Sequence, residues 1–122
     1  MTIKDLDAFF DAGWNRHDVD FLMTLMSEDC VFESAAGPDV CGTRHEGRER
    51  VREAFARVFK LYPDAHFGKV RHFIADDRAV SEWTLTGTTV DGQKVEVNGC
   101  DTFTFRNGKI AVKSAYLKNR TT

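Results

Sequence analysis

The chain has 122 residues and a formal net charge of −2 at pH 7, from 17 Lys and Arg against 19 Asp and Glu. This length fits one small domain, so we expect residues 1–122 to form a single unit. The near-neutral balance argues against nucleic-acid binding and against a polybasic membrane surface, and apolar runs of only a few residues argue against a membrane-spanning segment.

The first half of the chain carries helical patterns. Apolar residues recur at helical spacing over residues 3–14, after a Thr2 and Asp5 pair that resembles a capping box. Asp18 is a plausible N-cap for a second, shorter helix. A third apolar stripe over residues 51–62, flanked by charged residues and followed by Pro63, predicts a third helix with a solvated face.

Between the second and third helices we expect little regular structure. Residues 30–34 read as a short strand because of their β-branched and aromatic content. Residues 35–47 contain three glycines and Pro38, which predict a long loop. Long loops in compact domains are often functional, so this one is a candidate edge of a binding site.

The second half changes to the alternating period of strands. Four strands fit residues 65–75, 79–90, 94–106 and 109–118. Asp91-Gly92 and Asn107-Gly108 predict type I′ hairpin turns, and residues 76–78 predict a slightly longer turn. Helices followed by an antiparallel meander indicate an α+β fold, whose curved sheet leaves a cavity wherever the helices do not fill it.

One strand carries a carboxylate on an otherwise apolar face. That face of residues 94–106 holds Val95, Val97, Gly99, Asp101, Phe103 and Phe105. Desolvation should raise the pKa of Asp101 and suit it to proton transfer near neutrality, while Gly99 would let a ligand approach the backbone. The alternative is a structural acid paired with a lysine or a backbone N–H.

Four segments together resemble the SnoaL-like branch of the NTF2-like superfamily: EDCVF at 28–32, GRE at 47–49, GCDTFTF at 99–105 and NGKI at 107–110. The resemblance covers nearly the whole chain. It implies a cystatin-like cone, in which a curved antiparallel sheet wraps around about three N-terminal helices and an apolar pocket, and a homodimer through the convex sheet face. The superfamily includes polyketide cyclases, ketosteroid isomerases and non-catalytic modules, so the resemblance is specific for fold and not for activity.

The resemblance implies roles for particular positions. Asp101 lies where isomerases keep a protonated acid and where the SnoaL cyclases keep their acid/base aspartate. Ser34 stands at the position of the isomerase's proton-abstracting carboxylate, and Phe10 at that of its oxyanion tyrosine, so a ketosteroid isomerase is not expected. A one-acid scheme of the cyclase kind, on a small apolar cyclic or polyketide-like substrate, is the enzymatic reading that remains.

The same alignment gives a wider set of candidate substrate-binding residues. Glu82 would face the cavity as a second carboxylate, and Lys113 would stabilise an enolate or neutralise Asp101; an exposed sheet face is the alternative for both. With Glu82 inward, Trp83 and Leu85 would form an outward dimer seam. The full candidate set is Phe10, Trp14, Phe32, Ser34, Glu82, Phe103, Lys113 and Leu117, with Asp101 as the catalytic residue.

Metals, cofactors and disulfides are not expected. His66 and His72 share one strand face but lack a third ligand at an obvious spacing, and His45 beside the pocket mouth is the better functional candidate. Three cysteines without CxxC spacing argue against a disulfide scaffold or structural zinc and, with an N-terminus unlike a signal peptide, favour the cytoplasm.

Two classes of function stay open at this point. One is an enzyme that uses Asp101 as acid/base. The other is a ligand-binding or dimeric assembly module of the same fold without chemistry. A protein-binding transport scaffold is a weaker third reading, because it needs an exposed apolar patch beyond the dimer seam.

Overall fold

The computed structural model describes residues 1–121. Three α-helices, α1 (Ile3–Ala8), α2 (Val19–Thr24) and α3 (Arg48–Leu61), pack against one face of a six-stranded sheet, and a π-helical segment at Phe9–Trp14 continues α1. The α+β architecture and its three helices are as the sequence predicts. No helix within residues 1–121 is both long enough and apolar enough to cross a membrane.

Two predicted helix caps are present. The Thr2 backbone N–H donates to the Asp5 carboxylate at 2.8 Å, and the Asp5 N–H donates to the Thr2 hydroxyl at 3.2 Å, which completes the capping box. The Phe21 N–H donates to the Asp18 carboxylate at 3.0 Å, so Asp18 caps α2. These bonds satisfy backbone donors that a helix start leaves unpaired.

The segment expected to be a long loop is instead a hairpin. Strand β1 covers Met26–Asp39, well beyond the predicted residues 30–34, and β2 covers Gly42–Glu46. They pair antiparallel with a register shift between Ser34 and Asp39. Gly42, at φ 88°, lies in a region that other residues rarely adopt. The glycines that suggested a loop therefore serve a tight turn and an irregular strand.

The remaining strands form the predicted meander. They are β3 (His66–Ala75), β4 (Arg78–Thr88), β5 (Lys94–Arg106) and β6 (Lys109–Leu117), in the sheet order β2-β1-β6-β5-β4-β3. All neighbours are antiparallel except β1 and β6, which pair in parallel. The sheet is therefore mixed, and its last strand in chain order lies near the middle.

One of the two predicted type I′ turns is correct. Asn107 and Gly108 have φ values of 53° and 76°, as that turn requires. At the other turn only Gly92 has a positive φ, so Asp91-Gly92 is not type I′. The turn between β3 and β4 is shorter than expected, since Ala75 pairs directly with Arg78.

Aromatic side chains fill the narrow space between the helices and the sheet. The ring of Phe9 contacts those of Trp14 and Phe103 edge-on, with centroids 6.3 Å and 6.0 Å apart. Phe10 contacts Phe67 with centroids 5.9 Å apart. This aromatic core closes one end of the cone, and the cavity lies beyond it.

Candidate functional site

A cavity of about 350 Å³ lies between α3 and the concave face of the sheet. Most of its wall is aromatic or aliphatic and comes from the π-helical segment, α3 and the strands. Its polar groups are a buried pair of side chains, described below, and several more exposed side chains at the rim. The residues that border it are Trp14, Phe32, Ser34, Ala35, Ala36, Thr43, His45, Ala54, Arg57, Val58, Leu61, Tyr62, Phe67, Trp83, Leu85, Asp101, Lys113, Ala115 and Leu117.

The buried pair consists of Asp101 on β5 and Lys113 on β6, which are 1% and 4% exposed. Lys113 Nζ donates to Asp101 Oδ1 at 2.9 Å, and Trp83 Nε1 donates to Oδ2 at 3.0 Å. Both carboxylate oxygens therefore already accept a hydrogen bond. Asp101 and Lys113 both border the cavity, but little of the Asp101 carboxylate is exposed to it.

Gly99 is what allows Trp83 to reach this carboxylate. A Cβ at residue 99 would lie 2.6 Å from two carbons of the Trp83 ring and 2.4 Å from the Tyr116 carbonyl oxygen. The indole thus occupies the space that a side chain would take. We expected a ligand to approach the backbone at Gly99, and the structure places Trp83 there instead.

Lys113 is held by ring faces as well as by Asp101. Its Nζ lies 4.7 Å from the ring centroid of Phe32, 5.0 Å from that of Trp14 and 5.7 Å from that of Phe55. The negative faces of aromatic rings attract a cation, most strongly when it is desolvated. Lys113 Nζ is therefore held between the carboxylate of Asp101 and three aromatic rings.

Burial raises the pKa of Asp101 above its ordinary value. The charge of Lys113 and the hydrogen bonds from Lys113 and Trp83 act in the opposite direction, and burial outweighs them. The direction is the one expected from a carboxylate on an apolar strand face. Lys113 moderates the rise without cancelling it.

Six of the predicted site residues meet at the cavity, and Glu82 does not. The six are Trp14, Phe32, Ser34, Asp101, Lys113 and Leu117. The prediction that Glu82 faces the cavity is wrong, because this side chain is exposed on the opposite face of the sheet. Trp83 and Leu85 are buried instead and border the cavity. A shift of one residue exchanges the two faces of a strand, so the predicted outward seam of Trp83 and Leu85 is also wrong.

The prediction that Phe10 and Phe103 bind substrate is also corrected. Both residues lie in the aromatic core and not at the cavity. The Asn15 N–H donates to the Phe10 carbonyl at 2.8 Å, five residues back, as in a π-helix. Because of this wider turn, the Trp14 ring meets the ring of Phe9, five residues back, edge-on, instead of the ring of Phe10, four residues back. Phe103 follows Asp101 on the same strand face but packs deeper, against Phe9 and Phe105.

The rim of the cavity contains two basic residues, and sequence reasoning missed one of them. Arg57, which we assigned to the solvated face of the third helix, borders the cavity with Ala54, Val58 and Leu61. These positions follow helical spacing, so the signal was present in the sequence. His45, a candidate from the sequence, stacks on Phe32 with centroids 5.6 Å apart.

The other histidines lie elsewhere. His72 is held between Asp7, at 2.9 Å from Nε2, and the Ser81 hydroxyl, at 2.7 Å from Nδ1. His66 is exposed on β3. Within residues 1–121 no three His, Cys, Asp or Glu side chains cluster in a way that would hold a metal ion.

A comparison with known protein families identifies the domain. The sequence profile of the SnoaL-like domain matches residues 6–113. The chain belongs to the SnoaL-like domain family. No curated protein matches this SnoaL-like chain.

Solved structures share the fold at low sequence identity. A "putative polyketide cyclase" from Pseudomonas putida KT2440 is 22% identical, with a TM-score of 0.84 over 97% of this chain and 92% of that one. TerC, crystallised with polyporic acid, is 20% identical, with a TM-score of 0.80 over 95% and 90%. A hypothetical protein with a ketosteroid isomerase-like fold from Catenulispora acidiphila DSM 44928, in complex with trimethylamine, is 20% identical, with a TM-score of 0.81 over 95% and 86%. At these identities the likeness establishes the fold alone.

Proposed function

We propose that this SnoaL-like protein binds a small, largely apolar, cyclic or polyketide-like molecule and that Asp101 moves a proton on it. The observation that carries the proposal is a carboxylate with a raised pKa at the edge of a cavity whose walls are mostly apolar. A raised pKa makes a stronger base near neutral pH. The description of one structural relative as a "putative polyketide cyclase" supports the same class of chemistry.

The proposed step needs one acid/base group and no metal. The Asp101 carboxylate takes a proton from a carbon next to a carbonyl, and the electron pair of that C–H bond moves to the carbonyl oxygen as an enolate. Lys113, held 2.9 Å from Asp101, stabilises the negative charge on that oxygen. The enolate carbon then attacks a second carbonyl to close a ring, and Asp101 gives its proton to the alkoxide oxygen that this attack forms. In the isomerase-type alternative, Asp101 returns the proton at another carbon.

A buried donor gives separate support for a ligand that contains oxygen. Trp14 borders the cavity, and its indole N–H finds no acceptor anywhere in residues 1–121. Buried polar groups are nearly always hydrogen-bonded, so an orphaned donor calls for an acceptor. A carbonyl or hydroxyl oxygen of the ligand is the acceptor that we propose, and it would reach this nitrogen after a rotation of the indole, because the nitrogen has almost no accessible surface.

Asp101→Asn tests the chemistry. The asparagine keeps the shape of the side chain and an oxygen that accepts from Lys113, but it cannot take a proton. Turnover on polyketide-like 1,3-dicarbonyl substrates should fall by about 10² or more. Ligand binding and the circular dichroism spectrum should persist. The exposed Asp11→Asn serves as the matched control, and unchanged turnover by Asp101→Asn would rule out the proposed role.

A second candidate function is ligand binding without chemistry. It is favoured by the engagement of both Asp101 oxygens and by the 1% exposure of the residue, which leave little of the carboxylate to touch a substrate. In that case ligands should raise the melting temperature of the wild type and of Asp101→Asn alike. No substrate would be turned over by either protein.

We propose two further properties that the sequence suggested. The first is a homodimer through the convex sheet face, where Phe73 and Tyr116 are 51% and 55% exposed. The inward Trp83 and Leu85 cannot contribute to such an interface. The second is a reducing cytoplasmic location, which is consistent with free thiols at Cys30, Cys41 and Cys100.

A further inference from the structure

We propose that the ligand of this cavity is an anion, with an apolar ring body inside the cavity and one carboxylate bound by Arg57 at the rim. This inference rests on the proposed small-molecule pocket but not on proton transfer at Asp101. It names the class of ligand and gives Arg57 the role of selecting it. The evidence is the position of Arg57, its lack of an acidic partner, and the charge balance of the cavity.

Arg57 occupies a position where its charge can meet a bound molecule. It lies on α3 in the same stripe as Ala54, Val58 and Leu61, all of which border the cavity. Unlike the buried Ala54, Arg57 is exposed, as a group at a cavity mouth would be. A guanidinium at a mouth, above apolar walls, is placed to bind the acidic end of a molecule whose rings lie inside.

Three other arginines of the chain have acidic partners. Arg44 pairs with Glu33 and Glu46, Arg106 pairs with Asp29, and Arg52 pairs with Asp20. Arg57 takes part in none of the ion pairs found among residues 1–121. Its guanidinium therefore keeps its bidentate donors available for a carboxylate.

The charges around the cavity do not balance without a ligand. Three residues at its border carry a carboxyl, ammonium or guanidinium group: Asp101, Lys113 and Arg57. Asp101 and Lys113 neutralise one another in the buried pair, 2.9 Å apart. One positive charge remains, at the rim, so a ligand with a single negative charge fits the cavity better than a neutral one or a cation.

The rim offers few other donors for an anion. The hydroxyls of Ser34 and Thr43 already donate to the Ala36 carbonyl, at 3.2 Å and 2.9 Å. Burial and the charge of Arg57 lower the pKa of His45, which favours its neutral form. Recognition of negative charge at the rim therefore depends on Arg57, with neutral donors from His45 and Tyr62 beside it.

Isothermal titration calorimetry at pH 7.5 tests the inference with two probes of equal shape. 2-Naphthoate carries a carboxylate, and 2-naphthamide has an uncharged amide in its place. The wild type should bind the acid at least about tenfold more tightly, as expected for a hydrogen bond to a charged group. In Arg57→Gln that preference should disappear, because the affinity for the acid falls while that for the amide stays the same.

Arg50→Gln is the matched control, because it removes the same charge from an exposed position of α3 that does not border the cavity. It should keep the preference for the acid. The two tryptophans of the chain, Trp14 and Trp83, both border the cavity, so shifts of their indole N–H signals in NMR spectra locate the bound probe.

The outcomes separate the two proposals. Equal binding of acid and amide by the wild type, or an unchanged preference in Arg57→Gln, overturns the anion inference and leaves the pocket proposal standing. Binding of neither probe, or binding without any indole shift, overturns both. Loss of the preference in Arg57→Gln together with its retention in Arg50→Gln supports the assignment of Arg57.

Discussion

At residue 99 the absence of a side chain, because the residue is glycine, lets Trp83 hydrogen-bond to the buried Asp101. The Trp83 indole lies over Gly99 and donates to Asp101 at 3.0 Å. Trp83 thereby serves both as a wall of the cavity and as a hydrogen-bond donor to Asp101. The orientation of Asp101 thus depends on a residue that contributes no functional group.

Gly99→Ala should therefore destabilise the protein by about 1–3 kcal/mol, the usual cost of overpacking a well-packed interior. The new Cβ would meet the Tyr116 carbonyl oxygen at 2.4 Å as well as the Trp83 ring, and a backbone atom cannot move aside easily. Urea denaturation measures the free energy of unfolding. Gly68→Ala is the control, since its Cβ would have only ordinary contacts, at 3.5 Å; equal stability of the two variants would contradict the account.

At the scale of elements, Asn15 joins the end of the π-helical segment to the edge strand β3. Its Nδ2 donates to the Phe67 carbonyl at 3.0 Å, and the Phe67 N–H donates to its Oδ1 at 2.7 Å. The side chain thus extends the hydrogen bonding of the sheet at an edge strand. It also fixes Phe67, which borders the cavity.

Asn15→Leu should lower the free energy of unfolding by about 1–3 kcal/mol, because it leaves a backbone donor and a backbone acceptor of Phe67 without partners. Amide hydrogen exchange should also quicken at Phe67. The comparison is Asn98→Leu, which removes one exposed bond to Thr84 and should change stability far less. A similar loss of stability in both variants would show that Asn15 has no special role.

Most elements could be predicted from sequence, because alternation and turn residues act locally. Asn107-Gly108 is an example, since both positive φ values follow from the residue types. The hairpin at residues 35–46 could not be predicted, because glycines that suit a loop also suit a tight turn and an irregular strand. The parallel β1–β6 pair is a property of the whole sheet.

The candidate site was predictable where a residue's environment follows from its own strand. Asp101 is such a case, because it stands alone among apolar neighbours. The orientation of Glu82 depended on the register of β4, where a shift of one residue reverses the face. The displacement of Phe10 depended on a π-helical turn that alters the helical period, and no local signal marks that turn.

At the scale of the molecule, the convex face of the sheet is the proposed interface between the two copies of a homodimer. Light scattering at micromolar concentration should give the wild type twice the chain mass. Tyr116→Arg should shift the protein to the monomer by placing a charge at the centre of that face, whereas Val40→Arg, at the tip of the β1–β2 hairpin, should not. A monomeric wild type would contradict the proposal.

The position of β6 has a consequence for how the protein is made. This strand is the last in chain order, yet it joins β1 to β5 and supplies Lys113. A nascent chain that has not yet released β6 from the ribosome holds two separate half-sheets, and its aspartate at position 101 lacks its counter-charge. Folding of the sheet should therefore wait until β6 has left the ribosome, and its rate should be limited by the closure of long chain loops rather than by the helices.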